Sequence, residues 1–273
     1  MGSAGRTRRR CGIVLAAGRG TRLAPFSDDR PKPSFPVGDR SLLQRALDLL
    51  EPHVDELAVN VSDHVDWFRS HVPPGVHIAE EGAEPLGTGG AIHNLLDWIG
   101  DRDVLVLNAD SVHLGDIGPF VDGAHRAPTR LLVTHDPRRP DFDNLWRFTG
   151  LSTMQRSELD RLGPSSRDLY HHLWVAGMAE GRVETVPFGG LAIDCGTPAG
   201  LLAANLIESG GRTVVEAGGT IEGSADRCLV LADGVVGPDE QLRMCVLDAT
   251  DCADVVSGEL TPRPGERPHR PSL

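Results

Sequence analysis

The chain has 273 residues, enough to bury the core of one large domain, or of one large domain with a small appendage. Its formal net charge of −12 at pH 7 disfavours sequence-independent binding to nucleic acid or to anionic lipid, because both require a basic surface. The apolar run at residues 13–17 is too short for a signal-peptide core or a membrane span, so we expect a cytoplasmic protein with no membrane partner.

Apolar strands alternate with helical periods through the first 107 residues. We expect a helix after Ser41, and the other elements of this part are strands at 11–17, 57–61, 76–79 and 104–107 and helices at 65–71 and 91–99. Such alternation predicts an α/β fold with a Rossmann-like, mostly parallel sheet flanked by helices. Ligands bind such sheets at the carboxyl ends of the strands, so the loops that begin at Gly18, near Gly87 and at Asn108 should surround one pocket.

The second half of the chain changes character near residue 211. Before that point we expect strands at 130–134 and 191–194 and a helix at 198–207, with Thr197 as its N-cap. After it, aliphatic residues recur six apart between glycines, which predicts a short left-handed β-helix-like appendage over 211–256. Residues 1–210 are then the catalytic domain, and the Pro- and Arg-rich tail 257–273 is expected to be disordered.

The segment LAAGRGTRLAPFSDDRPKPSFPV, residues 15–37, is the main candidate for chemistry. Gly18 and Gly20 follow a strand, and without a Cβ they allow backbone N–H groups to approach phosphate oxygens. Arg22 and Lys32 can add positive charge. Lys32 is the only lysine among 27 basic residues, which indicates a position that needs a compact ammonium group. The glycines alone would equally fit an ordinary turn.

Three further segments carry candidate ligand-binding groups. EPLGTGGAI at 84–92 leads into a helix whose N-terminus favours an anion, although it could be a plain loop-to-helix transition. VLVLNAD delivers Asp110 to the end of a strand, where a carboxylate suits Mg²⁺ but is also a common turn residue. AIDCGTPAGLLAAN at 192–205 carries Asp194, for which a helix-capping role is also open, but Thr197 is better placed to cap that helix.

Taken together, these segments resemble the sugar-1-phosphate nucleotidylyltransferase family, and among its members the short mannose-1-phosphate guanylyltransferases. The family signature is LAAG.GTRL followed by PKP, then LGTAGAI, and later W.D.GTP..L..AN; here Leu191 or Ala192 replaces the aromatic residue of the last segment. The resemblance implies that Arg22 and Lys32 are catalytic and that Asp110 and Asp194 bind one Mg²⁺. It further implies that the nucleotide is bound by Leu15, Ala16, Ala17, Gly18, Arg19, Gly20, Thr21, Gly87 and Thr88.

The resemblance departs between residues 136 and 149, where the family has a hairpin with a glutamate–lysine pair that contacts the sugar and its phosphate. This chain has DPRRPDFDNLWRFTG there, without a lysine. Arg147 is the candidate replacement for that cation, and Asn108 and Gly150 are the other candidate sugar contacts. We interpret Trp146 and Phe148 as packing residues. His171 and His172 are interpreted as structural or exposed.

The implied reaction is Mg²⁺-dependent, in-line attack of a sugar-1-phosphate oxygen on the α-phosphorus of a nucleoside triphosphate, with release of pyrophosphate. Mannose-1-phosphate with GTP is the expected pair, although no residue identifies the base, and a homodimer is left open. One alternative is another acceptor: a cyclitol phosphate, N-acetylmuramate 1-phosphate with UTP, or phosphocholine with CTP. Another is a non-catalytic regulatory subunit that binds nucleotide sugars. The presence of all four catalytic and metal-binding candidates argues against this alternative. A hexapeptide-repeat acyltransferase would need more β-helix turns.

Overall fold

The computed structural model describes residues 9–82 and 84–263, and these form two compact units. The first unit contains residues 9–18 and Leu43–Ala192, and the second contains Arg19–Leu42 and residues 193–263. The chain therefore leaves the first unit after Gly18 and returns to it at Leu43. As a result, most of the segment 15–37 belongs to the same unit as the C-terminal strands. The predicted domain boundary at residue 210 stays a prediction.

The helices are mostly short, and within the described ranges none is long and apolar enough to cross a membrane. They are α1 Leu42–Leu50, α2 Val65–His71, α3 Gly87–Asn94, α4 Leu96–Ile99, α5 Gly118–Asp122, α6 Arg156–Leu159, α7 Val175–Ala179 and α8 Pro198–Glu208, with 3₁₀ turns at Thr21–Leu23, Lys32–Ser34, Glu51–His53 and Gly123–His125 and a π turn at Tyr170–Trp174. The strands up to Asp194 are β1 Arg10–Leu15, β2 Pro36–Val37, β3 Arg40–Ser41, β4 Glu56–Val61, β5 His77–Glu80, β6 Asp103–Asn108, β7 Ser111–Leu114, β8 Thr129–His135, β9 Trp146–Met154, β10 Val183–Pro187 and β11 Leu191–Asp194.

A seven-stranded sheet in the order β10-β8-β9-β6-β1-β4-β5 forms the centre of the first unit. The pairs β1/β4, β1/β6, β4/β5 and β8/β10 are parallel, which confirms the predicted α/β fold with a mostly parallel sheet. Strand β9 was not predicted. It runs antiparallel between β6 and β8 and is reached from β8 by a hairpin in which Asp143 and Asn144 adopt positive φ.

Both faces of this sheet are buried, which explains why its strands read as continuous apolar runs. Neighbouring residues of β1 point to opposite faces: Ile13 packs in the cluster that contains Ile92 and Leu173, and Val14 packs in the cluster that contains Phe68. Since side chains occupy both faces, the space left for a ligand lies where the strands end.

The C-terminal part of the second unit forms parallel coils, from β12 Val214–Val215, β13 Thr220–Ile221, β14 Ser224–Asp226, β15 Leu229–Val230, β16 Val235–Val236, β17 Gln241–Arg243 and β18 Cys245–Leu247. β12, β15 and β18 stack in register, as do β13 with β16 and β14 with β17. This confirms the predicted β-helix-like appendage. Two antiparallel strands follow the coils: β19 Asp251–Asp254 pairs with β18, and β20 Leu260–Pro262 pairs with β19.

Strand β20 lies within the tail 257–273 that was expected to be disordered. Its Thr261 pairs with Cys252 of β19, so the chain gains backbone hydrogen bonds that its Pro-rich composition did not indicate. Residues 264–273 of that tail lie outside the described residues.

Candidate functional site

A chain of buried hydrogen bonds holds the backbone that follows β1. The N–H of Ala16 donates to Oδ1 of Asn60 at 2.8 Å, and Nδ2 of Asn60 donates to Oε1 of Glu81 at 2.7 Å. The other carboxylate oxygen of Glu81 accepts the N–H of Leu86 at 2.7 Å. Asn60 and Glu81 are both buried. The two predicted nucleotide-binding loops therefore share one buried polar network.

Neither Asn60 nor Glu81 was among the residues that the sequence singled out. A signal was present, because Asn60 interrupts an otherwise apolar strand, and a buried amide there requires hydrogen-bond partners. Ser62, directly after β4, donates its hydroxyl hydrogen to the carbonyl oxygen of Ala17 at 2.8 Å. Ala16 and Ala17 are buried, and Gly18 beyond them is exposed.

The first turn of α3 needs its glycines because it lies against the backbone of residues 166–169. Gly87 has φ +79°, and a Cβ there would lie 2.0 Å from the carbonyl oxygen of Arg167. The neighbouring hydroxyl oxygen, Thr88 Oγ1, accepts the N–H of Leu169 at 3.0 Å. The helix begins at Gly87 instead of at the predicted residue 91, because the glycines that suggested a loop occupy its first turn.

A bulge in β9 brings Gly150 next to the end of β6. Opposite β8, Leu131 pairs with Ser152 and Val133 pairs with Phe148, so β9 carries extra residues between these pairs. Gly150 has φ +93°, and a Cβ there would lie 2.1 Å from Oγ of Ser111. Only glycine fits this position without displacing its neighbours.

The strand β6 ends at Asn108, and the next two residues are buried. The N–H of Ala109 donates to the carbonyl oxygen of Leu15 at 3.0 Å, which joins the ends of the adjacent strands β6 and β1. Asp110 follows at once and is 8% exposed. The ends of the adjacent strands β1 and β6 therefore lie side by side, and Asp110 follows directly after them.

These strand ends surround a cavity of about 170 Å³ within the first unit. Of the predicted site residues, Leu15, Thr88, Asn108 and Gly150 line it. The other lining residues are Val106, Phe148, Ser152, Asp168, Leu169, Tyr170 and Trp174. The volume is below the range for pockets that enclose a drug-sized ligand, so the cavity accommodates only a part of a nucleotide sugar.

The residues of the hairpin segment that lacks the family's lysine have different positions relative to the cavity. Arg147 does not line the cavity, and its Nη1 lies 3.7 Å from Oδ2 of Asp136. Trp146 packs edge-on against His135, as a packing residue should. Phe148 lines the cavity, so its interpretation as a packing residue alone was incomplete. Its partner in β8 is Val133, a core residue on the cavity side of the sheet.

The histidines of the π turn are exposed, in agreement with the sequence-based interpretation. The Nδ1 atom of His171 lies 2.9 Å from Oδ1 of Asp168, and the same oxygen accepts the backbone N–H of His171. These hydrogen bonds hold the pKa of Asp168 below its usual range. Asp168 therefore caps the turn as a carboxylate.

His113 of β7 is partly buried beside the bulge, and its removal from water lowers its pKa to about 4. Its Nε2 lies 3.1 Å from the hydroxyl oxygen of Thr149, which donates its own hydrogen to the carbonyl of Leu132. Because the hydroxyl hydrogen of Thr149 is already donated to Leu132, the Nε2–H of His113 must be the donor in its hydrogen bond with Thr149. His113 is thus a neutral structural residue.

In the second unit, Gly20 and the residues after it form a compact turn. Gly20 has φ +68°, and its carbonyl oxygen accepts the N–H of Leu23 at 2.7 Å and the hydroxyl hydrogen of Ser27 at 2.9 Å. Arg19 and Thr21 flank it and are exposed. Lys32 begins the next 3₁₀ turn, and its Cβ lies 3.3 Å from the position that a Cβ on Gly20 would take.

Arg22, a predicted catalytic residue, forms a bidentate ion pair with Asp194, a predicted metal ligand. The two N–O distances are 2.9 and 3.4 Å, and Oδ1 of Asp194 also accepts the N–H of Gly196 at 2.9 Å. Thr197 caps α8 as predicted, because its Oγ1 accepts the N–H of Gly200. Thr197 therefore fills the capping role that was also open for Asp194.

Two further contacts anchor the segment Arg19–Leu42 to the C-terminal part of its unit. The guanidinium of Arg30 donates two hydrogen bonds of 2.9 Å to the carboxylate of Glu216 and also bonds the side chain and carbonyl of Ser34. The buried amide of Asn205, on α8, accepts the N–H of Gly38 and donates to the carbonyl oxygen of Pro36. The glycine-rich segment is therefore supported by residues about 170 to 190 positions later.

The donor chemistry fits a hard cation. Asp110 and Asp194 each supply carboxylate oxygens, which Mg²⁺ prefers. Across 9–82 and 84–263, no group of three or more His, Cys, Asp or Glu side chains is gathered as a metal site. Mg²⁺ is usually bound through one or two carboxylates together with substrate phosphates and water, so each carboxylate by itself has the donor chemistry that this ion takes.

Comparison with known proteins agrees with the predicted resemblance. A model of the MobA-like NTP transferase domain matches residues 12–158. The N-acetylmuramate alpha-1-phosphate uridylyltransferase of Caulobacter vibrioides is 30% identical over 227 residues, which cover 70% of this chain and 94% of that protein. The bifunctional protein GlmU of Methanocaldococcus jannaschii is 34% identical over 113 residues, but the match covers only 27% of GlmU.

Two further similarities are a second guanylyl- or uridylyltransferase relative, matched over part of its length, and a solved structure that shares the fold. A D-glycero-alpha-D-manno-heptose 1-phosphate guanylyltransferase of Campylobacter jejuni is 33% identical over 104 residues, which cover 36% of this chain and 47% of that protein. A crystal structure assigned as a glucose-1-phosphate thymidylyltransferase from Bacillus anthracis superimposes with a TM-score of 0.64 at 21% identity, over 73% of this chain and 95% of the other, and shows the shared fold. Because the family model spans more than half of the chain and the uridylyltransferase more than two thirds, the chain belongs to the MobA-like NTP transferase family.

Proposed function

We propose that this nucleotidyltransferase joins a nucleoside triphosphate to a sugar 1-phosphate, with UTP and an N-acetylmuramate-type sugar 1-phosphate as its substrates. The observation that carries the proposal is the match to the Caulobacter uridylyltransferase, which spans 94% of that protein. Mannose-1-phosphate with GTP, the pair expected from the sequence, stays a prediction. Its support is the partial match to a heptose 1-phosphate guanylyltransferase.

The reaction needs no protein nucleophile. The sugar phosphate is already ionised at neutral pH, so the barrier comes from bringing two anions together and from the charge that spreads over the phosphate oxygens. Arg22 and Lys32 are proposed to offset this charge. The lysine is suited to a phosphate oxygen as a compact point charge, and the arginine as a two-pronged donor, the geometry it shows with Asp194.

The nucleotide is proposed to lie along the loops after β1 and before α3. Both loops are attached to Asn60 and Glu81, so their backbone is positioned before the substrate arrives. The sugar is proposed to occupy the cavity lined by Asn108 and Gly150. Arg147 remains a proposed contact for the sugar phosphate. To bind the phosphate, its guanidinium would have to move away from the carboxylate of Asp136.

Asp110 and Asp194 are each proposed as ligands of Mg²⁺, which would supply positive charge at the phosphate oxygens. Asp194 is paired with Arg22, so its carboxylate is held in place by a partner that is itself proposed to bind phosphate. The resemblance to metal-dependent family members supports both assignments.

The test is pyrophosphate release with and without Mg²⁺, across the four nucleoside triphosphates and a panel of sugar 1-phosphates. The panel includes N-acetylmuramate, mannose, manno-heptose and glucose 1-phosphates. Lys32→Ala and Asp110→Asn are expected to lower the rate by about 100-fold or more, as removal of charge-stabilising groups does. Arg126→Ala and Asp101→Asn, at exposed positions, are the matched controls and should retain the rate.

Each outcome bears on the proposal. Turnover of N-acetylmuramate 1-phosphate with UTP would support it, and turnover of mannose-1-phosphate with GTP instead would replace the proposed substrates. If no pair reacts while a nucleotide sugar still binds, the catalytic proposal is wrong and the protein is a non-catalytic nucleotide-sugar-binding subunit.

A further inference from the structure

Two buried polar side chains that line the cavity of the first unit lack hydrogen-bond partners among the described residues. They are Ser152, through its Oγ, and Trp174, through its indole Nε1. Ser152 is 1% exposed and Trp174 is 6% exposed. Folded proteins rarely leave buried polar groups without a hydrogen-bond partner. Two such groups beside the same cavity therefore indicate that a ligand or a water molecule binds there.

The fold itself gives no reason for either polar group. Trp174 ends the π turn, and its ring packs edge-on against Phe148 with a centroid distance of 4.8 Å. Phenylalanine would make the same apolar contact. Ser152 pairs with Leu131 in the sheet, on the side of a wholly apolar cluster, where alanine would pack as well. What serine and tryptophan add here is their hydrogen-bonding capacity.

The two groups differ in what they can bind. An indole N–H can only donate, so its partner must be an acceptor such as a carbonyl oxygen. A serine hydroxyl can accept or donate, so it can receive an N–H. Asp168, also at the cavity, already accepts two hydrogens from His171 and caps the turn. It is therefore a poor candidate for the missing acceptor.

The remaining walls indicate the rest of the ligand group. Leu15, Val106 and Leu169 are apolar and lie beside the cavity together with the ring of Phe148. A methyl group would be buried favourably against them. A substituent with one carbonyl oxygen, one N–H and one methyl group complements this combination, whereas a bare hydroxyl leaves the apolar surface uncovered. The acetamido group has this composition.

We propose that Trp174 and Ser152 are specificity-determining residues that select sugar 1-phosphates bearing an N-acyl substituent. The acyl carbonyl accepts the Nε1–H of Trp174, the amide N–H donates to Oγ of Ser152, and the acyl methyl lies against the apolar wall. This inference rests on the proposed function, since it concerns the sugar that the same cavity takes.

The test measures preference within matched pairs of sugar phosphates that differ only at one substituent. The pairs are N-acetylglucosamine with glucose 1-phosphate, and N-acetylmannosamine with mannose 1-phosphate. Binding is measured by calorimetry in the presence of UTP without metal, and kcat/KM by pyrophosphate release with Mg²⁺. Trp174→Phe and Ser152→Ala are compared with Trp67→Phe and Ser70→Ala, which make the same chemical changes on α2, outside the cavity lining.

The wild type is expected to favour the N-acyl member of at least one pair by about tenfold or more, the size that one or two net hydrogen bonds supply. Trp174→Phe and Ser152→Ala should each remove most of that preference without weakening the unacylated sugar, and the α2 variants should leave it intact. No preference in the wild type, or an equal loss for both members of a pair, would overturn the inference and indicate that water occupies the site.

The two levels of proposal fail separately. Turnover without an N-acyl preference would leave the nucleotidyltransferase reaction standing and refute the role of Trp174 and Ser152. A binding preference that the two variants abolish, without turnover of any pair, would refute the catalytic proposal and leave the selection of N-acyl sugars in place.

Discussion

Asn60 offers the most direct test of how the two nucleotide loops are positioned. Its side chain accepts the N–H of Ala16 and donates to Glu81, whose other oxygen accepts the N–H of Leu86. Leucine is similar in size and shape to asparagine but makes no hydrogen bonds. Asn60→Leu therefore removes the centre of the network and leaves a buried N–H and a buried carboxylate oxygen without their partner.

The expected cost follows from those two groups. Each buried group that loses its partner costs about 1–3 kcal/mol, and the apolar leucine side chain returns about 1 kcal/mol by its burial. The free energy of unfolding of the first unit should therefore fall by about 3 kcal/mol. The loops should also be less well positioned, so the KM for the nucleoside triphosphate should rise.

Urea denaturation followed by tryptophan fluorescence measures this, because all four tryptophans lie in the first unit. Asn94→Leu, at the exposed end of α3, makes the same exchange and should change stability by no more than about 0.5 kcal/mol. If Asn60→Leu lies within about 1 kcal/mol of the wild type at an unchanged m-value, the network does not hold the loops as argued.

Three further predictions concern separate parts of the molecule. Gly87→Ala should lower kcat/KM by about tenfold or more because its Cβ would meet the carbonyl of Arg167, whereas Gly75→Ala, at φ +94° with no atom within 4 Å, should cost only about 1 kcal/mol of stability; equal losses in the two variants would contradict this. Glu216→Ala should raise the KM for the nucleotide and lower stability by about 2 kcal/mol, since it removes both hydrogen bonds to Arg30, which is 26% exposed; unchanged KM and unfolding midpoint would show that this ion pair is dispensable. Because burial lowers the pKa of His113 from 6.5 to about 4, the unfolded chain binds more protons in that window, and stability should fall from pH 6.5 to pH 4 by at most about 3 kcal/mol; His113→Gln should flatten this part of the pH profile.

The elements that depend on neighbouring residues were predictable from the sequence. The helix at 65–71 was predicted with the bounds that α2 has, and Thr197 caps α8 through Gly200, because caps and apolar periodicity are local properties. The glycine positions were also informative. Gly20 adopts positive φ in the segment where the sequence predicted a close backbone approach, and Gly87 and Gly150, which the resemblance gave as nucleotide and sugar contacts, do so as well.

The sequence by itself also determined the family, because the four motifs and their order are linear features, and comparison confirmed it. It did not indicate that β9 runs antiparallel, since a hairpin of irregular length carries no strong turn signal. The expectation that residues 260–262 are disordered was wrong for a related reason. Composition does not indicate whether the edge of a sheet, here strand β19, can pair with the segment.

Only the tertiary structure decided which side chains act together. Asn60 bonds Glu81, Arg30 bonds Glu216, and Ser152 shares a cavity with Trp174. The two partners lie from about twenty to nearly two hundred residues apart in the chain, and a single sequence contains no signal that links them. Local chemistry selects the residue types, but the packing of distant strands and helices decides which of them meet.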